Sequence, residues 1–279
     1  MIRLRIRIAT CRPLPEPDAD EAPLAEALAA GGFDAQLLAW DDPSVDWDAP
    51  IPTVIRSTWN YARKVDEFLA WVDRAARAAP LLNPPEVVRA NVRKRYLLAL
   101  AARGVPVVPT TLVERGATCD LSALGRIVIK PEVGAGSLGA RTFADGRDPE
   151  AAAHLAALVA GGAALVQPYV DSVDDYGERS IIAIDGALSH AIRKSPRFSG
   201  QDERTDGPFP IAGDERAVAT AALAAAGASD LLYGRVDLAR AASGQPMVME
   251  LELVEPSLFF PRCPDAADRF VAGLRRRLS

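Results

Sequence analysis

The sequence predicts an α/β protein with a small parallel sheet near its start and antiparallel hairpins towards its end, on three observations. Short apolar runs alternate with Ala/Leu-rich stretches up to Pro80, the rhythm of βαβ units. Asp185-Gly186 separates two apolar runs, a strong signal for a type I′ hairpin. A second long pair of apolar runs, 233–253, folds back about Ser243-Gly244.

Taken in order, residues 2–10 alternate Ile2, Leu4, Ile6 and Ile8 with Arg3, Arg5 and Arg7, which is a strand pattern and not the apolar core of a secretory signal. A helix over 20–31 stops at Gly31-Gly32, and strands follow at 33–40 and 52–58, then a helix from Lys64 to Ala79. Leu81-Leu82-Asn83-Pro84-Pro85 breaks the chain. Helical segments over 86–103 end at Gly104, with strands expected near Val107-Val108 and over 125–131 and a helix over 148–160. ALVQPYV (164–170) is a further strand, and 178–185 and 187–194 form the Asp-Gly hairpin. Residues 195–210 are polar and rich in Gly and Pro, a mobile loop. A helix over 212–226, the second hairpin and a terminal helix over 264–278 complete the chain, giving three units: 1–84, 85–170 and 171–279.

With 279 residues, 49% hydrophobic and 25% charged, the chain forms globular cores. A formal charge of -5 with scattered Lys and Arg argues against nucleic acid as the main partner. Three dispersed cysteines and two histidines exclude a disulfide framework and a His-based zinc site. No apolar run reaches the ~18 residues of a membrane span, so the expected location is cytoplasmic.

The most informative segment is YGRVDLARAASGQPMVMELELVEPSLFF (233–260). Period-two alternation puts Arg235 and Asp237 on one face, and Glu250 and Glu252 on one face with Met249, Leu251 and Leu253 opposite. A turn near Ser243-Gly244 sets Asp237 across from Glu250 and Arg235 across from Glu252. Facing carboxylates repel, and a divalent cation that takes carboxylates plus phosphate oxygens, Mg²⁺, would neutralise them. The alternative is a solvated face on which Arg235 pairs with Glu252.

VIKPEVGAGSLGAR (128–141) places Lys130 at a strand end before Gly134, Gly136, Ser137 and Gly139, glycines that let backbone N–H groups approach an anion. It is not a Walker A loop, because the Lys precedes the glycines, nor a dinucleotide fingerprint, because a strand follows it. By itself it is equally a hairpin turn.

The order of these motifs (strand-end Lys, Gly-rich loop, QPYV and a late D…ExE pair) resembles the ATP-grasp superfamily on its glutathione-synthetase side. RSTWNY, GERSIIAIDGALSHAIRK, YGRVDL and MELELVEPSLFF are most similar to its cycloserine synthetase branch. The resemblance implies an ATP-grasp fold: a small α/β domain, a central lid domain and a C-terminal antiparallel domain. It implies a Mg²⁺- and ATP-dependent ligase that forms an acyl phosphate. Lys94 and Lys130 would contact ATP, Gly134 to Gly139 would form the lid loop, and Gln167, Pro168, Tyr169 and Val170 the adenine-reading hinge. Glu178 would hold the ribose, Lys194 the γ-phosphate or acyl phosphate, and Arg235 the transferring group. Asp237, Glu250 and Glu252 would hold Mg²⁺; many relatives carry Asn at the position of Glu252, which leaves its ligation open. The branch implies ring closure of O-ureido-serine and, commonly, a homodimer.

Arg56, Ser57, Thr58, Trp59 and Tyr61 follow the third strand, where open α/β sheets bind ligands. A cation, hydroxyls and aromatics there suit a small amino-acid-like substrate, with Arg197 as a second carboxylate anchor. Equally, Trp59 and Tyr61 could seed a domain interface, Lys94 could be a solvated helix lysine, and Glu178 could pair with Arg193 across the hairpin. His190 is expected on a strand surface beside Arg179 and Lys194. A ligase joining two amino acids, a small-molecule kinase and a non-catalytic nucleotide binder are the competing functions.

Overall fold

The computed structural model describes residues 3–136, 138–195 and 204–279, in three sheets. The first is parallel, of order β2-β1-β3-β4: β1 (Leu4–Thr10), β2 (Phe33–Ala39), β3 (Thr53–Ile55) and β4 (Leu81–Leu82). Leu81-Leu82, expected only as a break, thus adds an edge strand. β1 lies between β2 and β3 and is covered on both faces, so strict alternation fails at Arg7, which is buried. The Arg7 guanidinium donates to the Asp46 carbonyl at 2.6 Å and lies 5.2 Å from the Trp47 ring centre. One face of the sheet packs Leu24 and Leu28 of α1 (Glu21–Ala30) with Phe270 and Leu274 of the C-terminal helix. The other packs Phe68, Trp71 and Val72 of α2 (Val65–Ala78) against Trp40 and Trp47.

The expected 86–103 helix is two, α3 (Pro85–Asn91) and α4 (Tyr96–Ala102). The turn between them delivers the Lys94 N–H to the Glu132 carbonyl at 2.9 Å. Val107-Val108 makes no strand. Pro106 and Pro109 flank the pair and cannot donate to a ladder, which leaves an isolated bridge from Val107 to Val248. The strand comes later, as β5 (Thr111–Val113). It joins the second sheet, β5-β8-β6-β7, with β6 (Ile127–Pro131), β7 (Arg141–Phe143) and β8 (Ala164–Pro168), backed by α5 (Pro149–Gly161).

After a short helix, α6 (Ser172–Asp175), comes the third sheet, β11-β10-β9-β12-β13. Its strands are β9 (Glu178–Ile184), β10 (Ala187–Lys194), β11 (Thr205–Phe209), β12 (Tyr233–Arg240) and β13 (Pro246–Glu252). Asp185 and Gly186 have φ of 54° and 75°, the two left-handed residues of a type I′ turn. Part of the expected 195–210 loop is β11, whose Pro208 is tolerated because the strand is at the sheet edge; residues 196–203 lie outside the described ones. α7 (Gly213–Ala225) and α4 cover one face of this sheet, and α8 (Asp265–Leu278) reaches the first sheet. Among the described residues no helix is long and apolar enough to cross a membrane.

The first and third sheets are joined by uncharged buried hydrogen bonds. The Tyr233 hydroxyl lies 2.7, 3.3 and 2.8 Å from the carbonyls of Ile55, Leu82 and Val254. Asn83 Nδ2 donates to the carbonyls of Tyr233 and Leu253 at 2.8 and 2.9 Å. Asn83→Ala strands these acceptors in a dry interior, so urea denaturation should show a loss of about 2–4 kcal/mol.

Candidate active site

A cleft of about 970 Å³ lies between the second and third sheets and reaches the first. Alternation along β6 explains one wall: Ile127 and Ile129 pack under α5, which leaves Val128 and Lys130 facing the cleft. Lys130 Nζ donates to Glu250 Oε1 at 2.7 Å, so the strand-end lysine and the acidic hairpin meet. Lys94 Nζ donates to the Gly134 carbonyl at 2.8 Å and lies 3.7 Å from Glu250. Gly136 and Gly139, with φ of 58° and 76°, shape the loop over this wall. Gly134 and Gly136 line the cleft, Gly139 lies between lining Leu138 and Ala140, and Ser137 lies outside the described residues.

On the opposite wall Asp237 pairs with Glu250 and Arg235 with Glu252, the register the sequence predicts. A β-bulge then shifts β13 by one residue, so Leu238 pairs with Val248. Val248 takes the core position, and Met249, expected on the apolar face, lines the cleft beside Glu250. A second bulge, in β10, pairs Glu178 with Lys194 and not with Arg193, and Lys194 makes an ion pair with Glu178. It also turns His190 away from Arg179. His190 is buried, within 3.1 Å of the Leu258 carbonyl, whereas Arg179 pairs with Glu215 on α7 at 3.2 Å.

Each acid of the ladder holds a cation. Asp237, 1% exposed, accepts from Lys194 Nζ at 2.9 Å and from Arg235 Nε at 2.9 Å. Burial alone would raise its pKa, but Arg235 and Lys194 overcome that and hold it far below the usual carboxylate range. Burial of Glu250 is likewise outweighed by Lys130 and Lys94, which hold it at about 2. Arg235 Nη2 donates to Glu252 at 2.5 Å, although burial keeps the Glu252 pKa raised. Burial pushes Glu178 up to about 7 against the pull of Lys194.

Among the described residues no three carboxylate, thiol or imidazole groups converge to hold a metal by themselves. Glu250 and Glu252, 23% and 29% exposed into the cleft, provide two carboxylates on one face, with Asp237 behind them. That donor set fits Mg²⁺, which takes few carboxylates and completes its shell with phosphate and water oxygens.

Of the hinge residues, Tyr169 lines the cleft, but its N–H donates to the Arg126 carbonyl at 2.8 Å. Gln167 turns into its own sheet, donating to Thr110 at 2.8 Å, and Pro168 and Val170 are not on the cleft wall. Sequence reasoning missed the apolar lining residues Val128, Val173 and Met249, because no motif marks them. It also missed Tyr96, whose hydroxyl accepts the Leu251 N–H at 3.1 Å, and Glu255.

At the substrate end the structure divides the expected set. Arg56 is buried, paired with Asp20 at 3.1 Å and donating to the Pro256 carbonyl at 3.0 Å. Ser57 bonds Thr10 at 2.8 Å, and Thr58 is fully buried, so none of the three faces the cleft. Arg56 docks the first sheet on the segment after β13, and Ser57 ties β3 to β1. Trp59 and Tyr61, on the 3-10 turn Trp59–Arg63, do line the cleft. Arg197 lies outside the described residues.

Comparison with known proteins identifies the family and the fold. A family model described as the N-terminal domain of D-cycloserine synthetase DcsG matches residues 6–83. The cycloserine biosynthesis protein DcsG of Streptomyces lavendulae is 39% identical over 287 residues, covering 94% of each chain. The crystal structure of D-cycloserine synthetase DcsG superposes with a TM-score of 0.89 at 37% identity, covering 99% of this chain and 100% of that one. The ATP-grasp ligase PsnB, in complex with a precursor variant, Mg and ADP, has a TM-score of 0.65 at 19% identity, covering 98% and 100%, a likeness of fold alone.

Burial and the neighbouring Glu252 push Glu255 up to about 8. A carboxyl whose pKa is raised on folding costs stability as pH climbs from its unfolded value towards its folded one. Glu255→Gln should therefore be more stable than wild type at pH 8 without ligands, with the difference vanishing below about pH 4.3. Urea denaturation across this range checks the sign.

Proposed function

The chain belongs to the D-cycloserine synthetase family of ATP-grasp ligases, and we propose that it closes O-ureido-D-serine into D-cycloserine at the expense of ATP. The observation that carries this reading is the convergence of Lys94, Lys130, Lys194 and Arg235 with the Asp237–Glu250 ladder on one cleft. The share of the chain matched by the Streptomyces relative supports it. We place the reaction in the cytoplasm.

In this reading Lys94, Lys130 and the N–H groups of the 134–139 loop bind the phosphates, and the apolar lining of Val128, Val173 and Met249 takes the adenine. Glu178 reaches the ribose. Glu250 and Glu252, with Asp237 behind, would hold Mg²⁺, which supplies charge neutralisation for the β- and γ-phosphates. The substrate carboxylate attacks the γ-phosphorus, ADP leaves, and an acyl phosphate forms. Lys194 and Arg235 face the charge that develops. Phosphoryl transfer of this kind needs positioning and electrostatics more than covalent help.

The nitrogen bonded to the side-chain oxygen then attacks the acyl carbon. The C–N bond closes the ring, phosphate leaves with the electron pair of the broken C–O bond, and the nitrogen's proton passes to solvent. Water then adds to the carbamoyl carbon, the bond from that carbon to the ring nitrogen breaks, the nitrogen takes the proton, and carbamate leaves to give carbon dioxide and ammonia. Closure of the glycine loop keeps bulk water from the acyl phosphate.

ADP release with O-ureido-D-serine, and mass spectrometry of the ring product, test the proposal. Glu250→Gln and Asp237→Asn should each lower ADP release by about 100-fold or more, the scale of losing one electrostatic contact to the reacting group, while unfolding remains cooperative. A stable phosphorylated product in ³¹P NMR would mark a kinase instead, and a linear amide a two-substrate ligase.

A further inference from the structure

Glu255 sits three residues beyond Glu252, where the chain leaves β13. It lines the cleft at 9% exposure beside the Tyr61 side chain. Its carbonyl accepts the Trp59 indole N–H at 3.1 Å. The Tyr61 ring is stacked on Phe68 with centres 4.8 Å apart, so the side chain beside Glu255 is fixed by the aromatic core of the first sheet. The carboxyl is therefore built into place.

The neighbouring acids have cations: Lys194 for Glu178, Lys194 and Arg235 for Asp237, Lys130 for Glu250, and Arg235 for Glu252. Among the described residues Glu255 has no lysine or arginine nitrogen within 4 Å. A nearly buried carboxyl beside a second acid, with no cation of its own, is completed by a positive group that comes with a ligand. Trp59 and Tyr61, which line the cleft here, bring aromatic rings and a single hydroxyl, too few oxygens for a hard metal ion but a good setting for an ammonium group.

Resting on the reading of the cleft as an amino-acid site, we infer that Glu255, framed by Trp59 and Tyr61, is the specificity-determining acceptor for the substrate's α-ammonium group. It selects amino acids over their desamino counterparts and turns the carboxylate towards Arg235.

The test compares O-ureido-D-serine with 3-(ureidooxy)propanoate, which lacks the amine. Wild type should prefer the amine by about 30-fold or more in kcat/KM, the range of a hydrogen bond to a charged group. Glu255→Gln should lose most of that preference through KM, leave the KM for ATP within about twofold, and treat the desamino compound as wild type does. Glu255→Asp should restore part of the preference. A wild type that turns over both compounds equally overturns the assignment without any variant, as does a Gln variant that keeps the preference. Should O-ureido-D-serine give no ADP, the functional reading fails alone, and the same comparison uses whichever amino acid does release ADP. If no amino acid does, both fall.

Discussion

Everything in the cleft depends on keeping Asp237 ionised in a place with almost no water. A carboxylate at 1% exposure is tolerated only with partners, and Lys194 and Arg235 hold it from two directions. Those partners come from β10 and from β12 itself, while the acid across the ladder, Glu250, draws Lys130 from the second sheet. Charge compensation thus brings three distant stretches of chain to one surface. The two readings offered by the sequence, a metal face and an Arg235–Glu252 pair, are not exclusive. The ion pair exists, and the same carboxylates stay open to the cleft.

Much of this was legible in the sequence because it obeys short-range rules. The Asp185-Gly186 turn, the Asp237–Glu250 register and the cleft-facing Lys130 all follow from period two plus turn chemistry. The errors have physical causes of two kinds. Bulges in β10 and β13 each insert a residue that periodicity cannot foresee, which misplaced Met249, His190 and the partner of Glu178. Long-range partners did the rest. Arg56 looks like a substrate anchor until Asp20, remote in sequence, is found holding it. Glu255 escaped notice because it lies beyond the strand, where alternation gives no direction.

The three sheets contribute unequally. The third carries the fixed acids and most of the cations, and the second brings Lys130 and the glycine loop. The first closes the far end with Trp59 and Tyr61. In the proposed reading the first sheet would select the reactant and the second would handle phosphate, and the Arg235 guanidinium is bonded to Asp237, Glu252 and the Ser257 carbonyl.

The bonds that join the sheets also differ in kind. Tyr233 and Asn83 join the first and third through neutral, fully desolvated contacts. The glycine-loop side is held largely by charges: Lys130 to Glu250, and the half-exposed Arg93 and Arg95 to Glu132. Dissolved ions screen the half-exposed Arg93 and Arg95 pairs, act far less on the part-buried Lys130–Glu250 pair, and leave the neutral contacts untouched. Ionic strength is therefore expected to act on this molecule as a selective lubricant, loosening the outer arginine contacts of the glycine-loop side while the neutral bed stays rigid.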